Sequence, residues 1–558
     1  MSAGSRRVFV RAGAPVGVIG GTDERYRRKD GALVVLPDER WGNPLFADGC
    51  LDEADFHIHA RLTVEQLAGT GASALLGGHY HYSHSRPEGN HTFRISLDED
   101  ICPANKTLAK DMWIVHGMAN PLKKHWNLEE NLPAKAVVGR SRAHIRPGEP
   151  FAVDIVRRGP EVGLTINGRE VFRARLDDAS RIPPGRCGDT GWPIIVGWLP
   201  GHAPLRIHDW WAEGRFTGPV WPACDVWRLN ADGYINCRMP AICRTPDGQL
   251  LAFSEARHAR PSRSWEWEDA LVKDEIHAVM KRSGDNGRTW SEQTLLIDRG
   301  VSYEPRDASP VVDAETGEVF LFTGPGPWVI ASRDAGRTWS EPRALAEAGP
   351  GEIRDFHGGA GNSAIQLRYG PHRGRLLAAL YQKNVVGLVV SDDHGKTWQP
   401  GAMAAFSGAC EPSLVELSDG RVVVSPRIGP RVGPPPRGRL FLTSADGGGT
   451  FAGTRYEPAI PIPGQGELVA VDLPGAGATQ ARRALVFCGA AEHKTRLTLM
   501  ASLDDGKTWP TSTVLDDGPA ANLALVALPE GQVGVLYETD KYLRQRFMRV
   551  DLAELIRA

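Results

Sequence analysis

The side chains whose types and spacing first invite a chemical reading are aspartates. The pattern Ser-x-Asp-x-Gly-x-Thr-Trp occurs as SGDNGRTW from Ser283, SRDAGRTW from Ser332, SDDHGKTW from Ser391 and SLDDGKTW from Ser502, with a weaker copy, SADGGGTF, from Ser444. Turn chemistry accounts for every position in this motif. The Asp accepts from backbone N–H groups two residues on, the Gly takes a positive φ, and the Trp packs between sheets. The copies are therefore read as structural staples, not as catalytic groups. Histidines cluster too: His79, His81 and His84 in HYHYSHS, and His57 and His59 in FHIHAR. No carboxylate or Cys ligand set of known spacing accompanies them, so no metal and no other cofactor is expected. The cysteines at 50, 102, 187, 224, 237, 243, 410 and 488 form no CxxC pair and fit no zinc knuckle. They read as buried thiols, with a few disulfides left open. Cys237 and Cys410 are expected to point into strand cores, since neighbours on a strand face opposite ways.

The elements that must position any site follow from the repeat. The boxes start at positions 283, 332, 391, 444 and 502, an even spacing in which each interval suits one four-stranded blade of a β-propeller. Residues 221–558 then divide into six blades of roughly 56 residues, the sixth closing the ring with strands from both ends of the segment. Runs such as QLLAFSEAR, EVFLFTG, RLLAALY, GLVVS, RVVVSPR, ALVFCGA and VGVLYE read as their strands. Residues 1–215 contain no such box. FHIHARLTV alternates, FAVDIVRRGPEVGLTINGREVFRARL reads as strands joined by a turn at Asn167–Gly168, and PLRIHDWWAEGRF reads as a closing strand. The expected fold class is all-β: a lectin-like or laminin-G-like β-sandwich, a linker near FTGPVWPACDVW, then the propeller.

Composition agrees with many turns and aromatic anchors: Gly 63, Pro 41 and Trp 16 in 558 residues. A formal net charge of −2 argues against nucleic acid or an anionic membrane as partner, while leaving room for a local arginine cluster that holds a small anion. No run of 18 apolar residues suggests a membrane span. The opening MSAGSRRVFVRAGAPVGVIGG lacks an uninterrupted apolar core, so the expectation is a cytoplasmic protein, or a secreted or periplasmic one if the chain is processed. Oligomeric state is not legible.

The segment CRMPAICRTPDGQLLAFSEAR, from Cys237 to Arg257, narrows the field. It resembles the signature of the sialidase (exo-neuraminidase) superfamily of Asp-box (BNR) propellers: Arg-Ile-Pro followed by Glu-Ala-Arg, with Met239 as a departure in the middle of the first triplet. The resemblance continues through RDASPVVDAETGEVFLF and GRLLAALY and is confined to the part of the chain that carries the boxes. It implies that three arginines from three blades hold a sugar carboxylate, a task suited to the planar, permanently charged guanidinium. By their motifs these are Arg238, Arg427 in DGRVVVSPR and Arg496 in KTRLTLMAS, and Glu411 of ACEPSLVEL matches the family's glutamate. The acid/base aspartate falls in HARPSRSWEWEDALVKDE at Asp274, with Asp269 the competitor. Trp265 and Trp267 of that loop have the shape to stack on a sugar or to pack the loop. Arg257 either reaches a ring hydroxyl or pairs with Glu255.

One departure matters more. Sialidases attack with a tyrosine that the glutamate activates. In GPAANLALVALPEGQVGVLYE the corresponding position is Asn522, and Tyr537 on the following strand reads as structural. Three readings stay open: water attacks with inversion, Asp274 acting as acid and Glu411 as base; a tyrosine from another loop, such as Tyr303 or Tyr381, substitutes; or the propeller binds without cleaving. The leading expectation is a glycoside hydrolase releasing a terminal sialic acid or related nonulosonic acid from acidic glycans. The alternatives are a non-catalytic sialoglycan-binding protein and a hydrolase of another acidic sugar.

Overall fold

A computed structural model describes residues 5–19, 26–36, 45–64, 94–96, 111–115, 137–142, 148–159, 161–175, 194–198, 205–229, 231–234, 236–258, 275–298, 305–324, 326–345, 356–382, 384–428, 438–462, 464–474, 482–491 and 495–557. They divide into two compact units, one drawn mainly from residues 1–218 and the other mainly from the chain beyond.

In the first unit the described strands form one eleven-stranded antiparallel sheet and a separate three-stranded sheet made by Arg94–Ser96, Asp111–Val115 and Val137–Arg142. The long strand Leu45–Val64 is central. It pairs with Phe151–Arg158 on one side and with Leu205–Thr217 on the other. Leu205–Thr217 is thus an interior strand rather than the closing one expected, because Ser5–Arg11 and Ala32–Val35 also pair with it. Alternation explains the core: Phe56, Ile58, Ala60 and Leu62 point inward with Val153, Ile155, Trp210 and Ala212. The outward His57 and His59 both hydrogen-bond Asp154 Oδ1 at 2.8 Å and pack on Trp211, so they serve a cross-strand polar cluster. His79, His81 and His84 lie outside the described residues.

The second unit is the propeller. Blade 1 is Asn236–Arg244, Leu250–His258, Glu275–Ser283 and Thr294–Ile297. Blade 2 is Arg306–Val312, Val319–Gly324, Trp328–Ser332 and Arg343–Ala344. Blade 3 is Ala364–Gln366, Leu376–Gln382, Val385–Ser391 and Gln399–Ala405. Blade 4 is Ala409–Glu416, Val422–Ile428, Arg439–Ser444 and Gly453–Glu457. Blade 5 is Gly466–Leu473, Arg482–Ala491, Thr495–Ser502 and the first half of Thr511–Leu528. The second half of Thr511–Leu528 opens blade 6, followed by Gln532–Thr539 and Arg544–Asp551; Ala223–Arg228, from the other end of the segment, is its outer strand. The first strands of successive blades neighbour one another round a closed circuit.

Each box forms an Asp-anchored turn, but the Asp accepts from backbone N–H groups three and four residues on, not two as expected. Asp285 Oδ1 accepts from the Arg288 and Thr289 N–H groups at 2.9 Å, and its Oδ2 accepts from the Thr289 hydroxyl at 2.6 Å. The box tryptophans join neighbouring blades: Trp290 packs on Phe547, Trp339 on Phe253 and Trp398 on Phe322, with centroids 5.3, 5.8 and 4.9 Å apart. Burying such a ring stabilises the junction by roughly 2–3 kcal/mol. Near the axis, buried polar groups stitch every pair of neighbours. Asp307 N–H donates to Glu255, Ser363 N–H to Ser309, the Ser363 hydroxyl to the Pro412 carbonyl, Leu468 N–H to Ser413, Leu523 N–H to Gln465, and the Gln545 amide to Ser254. In such low-dielectric surroundings these bonds fix the blade register that the apolar contacts alone would leave loose.

Candidate active site

Antiparallel strands put the start of each first and third strand, and the end of each second strand, at one face of the ring. Arg238, Asp307, Glu411 and Asn522 lie near first-strand starts, Glu255, Arg257, Tyr381, Arg427 and Glu538 near second-strand ends, and Arg496 at a third-strand start. Side chains from all six blades, running in sequence from Arg238 to Glu538, therefore share one face. The boxes, at third-strand ends, lie at the other, roughly 20 Å away along blade 5.

Bulges aim these side chains. Pairing slips between Arg238 and Ala241, Arg306 and Ser309, Cys410 and Ser413, and Ala520 and Leu523, always near a first-strand start. Met239, Asp307 and Glu411 sit there with φ of 52°, 53° and 43°, and Arg496 with 54°. Four non-glycine residues in this region cost of order 1–3 kcal/mol each, strain typical of functional sites. The bulge also corrects the expectation for Cys410. Cys237 packs into a blade core, whereas Cys410 is half-buried outside any core cluster, since the slip breaks strand alternation. Burial, then Glu411, pushes its thiol up to about 12. Among the described residues no disulfide joins two cysteines.

Three polar groups make up the site. In the first, fully buried Glu538 accepts from Arg238 Nε at 2.8 Å and Met239 N–H at 2.7 Å on one oxygen, and from Asn522 N–H at 3.3 Å on the other. Burial opposes the Arg238 charge, but Glu538 outweighs it and the guanidinium is held firmly protonated. Its other face covers the Tyr542 ring, with the guanidinium carbon 3.5 Å from the centroid. In the second group, Arg427 donates to Glu411 Oε2 at 2.6 Å, and that carboxylate keeps Arg427 charged despite burial. In the third, Arg257 pairs with Glu255 at 2.5 Å, the structural alternative foreseen for it. The Tyr381 hydroxyl donates to Asp307 Oδ2 at 2.8 Å, and His357 stacks on the Tyr381 ring. Burial, then the nearby Glu255 carboxylate, pushes the Asp307 carboxyl up to about 8, so it holds its proton at neutral pH.

Arg496 forms no ion pair among the described residues, and its carbonyl caps the Thr498 hydroxyl. The guanidinium groups of Arg238, Arg257, Arg427 and Arg496 thus share the carboxylates of Glu255, Glu411 and Glu538, with Asp307 neutral. This set is one positive charge in excess, which suits a single carboxylate ligand. Asp269, Asp274, Trp265, Trp267 and Tyr303 lie outside the described residues. Sequence reasoning missed Asp307, Glu538 and Tyr542. Of these, only Glu538 carries a signal, a charged residue ending the otherwise apolar strand VGVLYE.

Residues 273–539 match the BNR repeat-like domain family. The chain is 35% identical over 359 residues to a sialidase of Micromonospora viridifaciens, covering 58% of this chain and 53% of that protein. The part of the chain that carries the boxes is thus similar in sequence to sialidases. Sialidase-4 of Homo sapiens is 30% identical over 225 residues, covering 32% of this chain and 43% of that protein. The chain thus spans about half the length of these relatives. A Hadza microbial sialidase has the same fold, with a TM-score of 0.50 at 18% identity, covering 94% of this chain and 96% of that one. Against the sialidase pattern the departure at Asn522 stands out. Where a tyrosine is expected, an amide packs against Met239 Sδ and bonds Glu538 through its backbone.

Proposed function

We propose that this protein is a glycoside hydrolase of the exo-sialidase type, removing a terminal sialic acid or related nonulosonic acid from acidic glycans. The supporting observation is the pair Arg238 and Arg427, each charged and oriented by its own carboxylate at one face of a sialidase-type propeller. With Arg496 they bind the sugar carboxylate. Guanidinium groups already locked by Glu538 and Glu411 lose little freedom when the ligand arrives, so more of the charge-assisted hydrogen bonding is left as affinity. The loop carboxyl, Asp274 or Asp269, protonates the leaving oxygen, and Glu411 acts as base. Asn522 favours the second reading, a sialoglycan-binding protein that does not cleave. Incubation with aryl glycosides of sialic acid and of a uronic acid separates the possibilities. Release of free sialic acid alone supports the proposal. Release of the uronic acid alone, or binding of sialic acid without release, refutes it.

A further inference from the structure

Asn522 leaves the sialidase position without an oxygen nucleophile, yet a second phenol stands beside it. Tyr542 belongs to the tight turn Asp540–Tyr542 joining the second and third strands of blade 6. Two of its three residues, Asp540 and Tyr542, take left-handed φ of 48° and 70° without being glycine. Such strain persists only where the surroundings over-determine it. Here Asp540 is gripped by Arg544, and Arg544 and Arg546 are both anchored on Asp225 at 3.1 and 3.0 Å. The rigid turn delivers Tyr542, 5% exposed, under the Arg238 guanidinium. Arg238 and Asn522 share Glu538, so Arg238 links the turn that carries Tyr542 to the position where a tyrosine is expected. Tyr542 is also close enough to Arg427 to interact with it electrostatically. Tyr381 and Tyr537 face other carboxylates: Tyr381 donates to Asp307, and Tyr537 to Asp516 at 2.7 Å.

We propose that Tyr542 is the relocated nucleophile of this propeller, an inference that rests on the hydrolase reading above. Tyr542 Oη attacks the anomeric carbon, and the bond from that carbon to the aglycone oxygen breaks. The phenolic proton passes to the Glu411 carboxylate, and the aglycone oxygen takes a proton from the loop carboxylic acid. Water then attacks the same carbon and releases Oη. The loop carboxylate recovers a proton from that water, and Tyr542 recovers its own from Glu411. Two displacements retain configuration, and a neutral phenol avoids the repulsion that a carboxylate nucleophile would feel from the sugar's own carboxylate.

The test treats the full chain with a fluorinated sialic acid that traps covalent intermediates, followed by peptide mass spectrometry. Turnover of an aryl sialoside and binding of free sialic acid are measured on wild type and Tyr542→Phe. The phenyl ring preserves the stack on Arg238, so the variant isolates the hydroxyl. The expected results are a sugar adduct on the peptide carrying Tyr542, retained configuration, and turnover of Tyr542→Phe lowered at least about 10³-fold with sugar affinity within about threefold. An adduct on another residue, an inverted first product, or a Tyr542→Phe variant keeping over a tenth of turnover overturns the inference while leaving the hydrolase intact. Wild type that binds the sugar but never releases it overturns the hydrolase reading instead, and Tyr542 as nucleophile with it.

Discussion

Glu538→Gln removes a charge while keeping its shape, and the structure sets what this costs. The carboxylate serves three donors: Arg238 Nε, Met239 N–H and Asn522 N–H. A glutamine carbonyl in place of Oε1 still accepts from Arg238 and Met239, but its amide then faces the Asn522 N–H as donor to donor. Arg238, almost wholly buried, loses its direct counter-charge. Removing one partner of a buried pair costs about 3–5 kcal/mol, and the two surviving hydrogen bonds place this case at the low end, about 3 kcal/mol. In a unit of this size that is a fall in melting temperature of about 3–6 °C. Because the pair is shielded from water, the loss should be equal at low and high salt, whereas a rim pair would be screened. Thermal and urea unfolding at two salt concentrations read both features. A loss under about 1 kcal/mol, or one that vanishes in salt, would refute the view that Glu538 holds Arg238 in place.

Asp307→Asn should change the pH dependence of stability. The native state keeps the Asp307 proton up to about 8, while the unfolded chain releases it near 3.8, so wild-type stability falls as pH rises through that window and levels off above it. The variant has no such proton to lose and should gain on wild type from pH 5 to pH 8.5 in urea midpoints, while both share the slopes from Asp516, pushed up to about 6 by burial, and from Glu467, also pushed up by burial; parallel profiles would count against the assignment. Asp393→Ala breaks the bonds to Thr397 and Ser391 and should cost about 1–2 kcal/mol in urea unfolding with turnover unchanged. A folded variant without activity would show that the boxes are not remote from chemistry. Trp398→Ala, which opens the junction between blades 2 and 3, should cost about 3–5 kcal/mol by the same measurement, and a loss below about 1 kcal/mol would mean the ring is not the wedge it looks.

The propeller was legible because its repeat is local. A Ser-x-Asp turn followed by Trp carries its own hydrogen bonds, so five copies spaced by one blade announce the ring. Ring closure was legible by elimination, since five boxes leave one blade without a staple. In the site, Arg238, Arg427 and Glu411 follow from motifs on regular strands. Glu538 and Tyr542 do not, because their roles depend on a partner, Arg238, at the opposite end of the propeller sequence and on a turn without glycine. Asp307 was hidden by its bulge, which turns an ordinary strand residue toward Tyr381. The lectin-like sandwich expected ahead of the propeller needs a second layer. The described strands there give one broad sheet and three short strands beside it, and residues 65–93 and 116–136 lie outside them.

The central claim is that the arginines of this face receive a sugar carboxylate. A crystal structure of the full chain with the 2,3-unsaturated analogue of sialic acid tests it most directly. The expected result is a carboxylate within about 3 Å of the guanidinium groups of Arg238, Arg427 and Arg496, with the anomeric carbon facing Tyr542. A ligand on the outer rim, or one whose carboxylate touches none of the three, would contradict it.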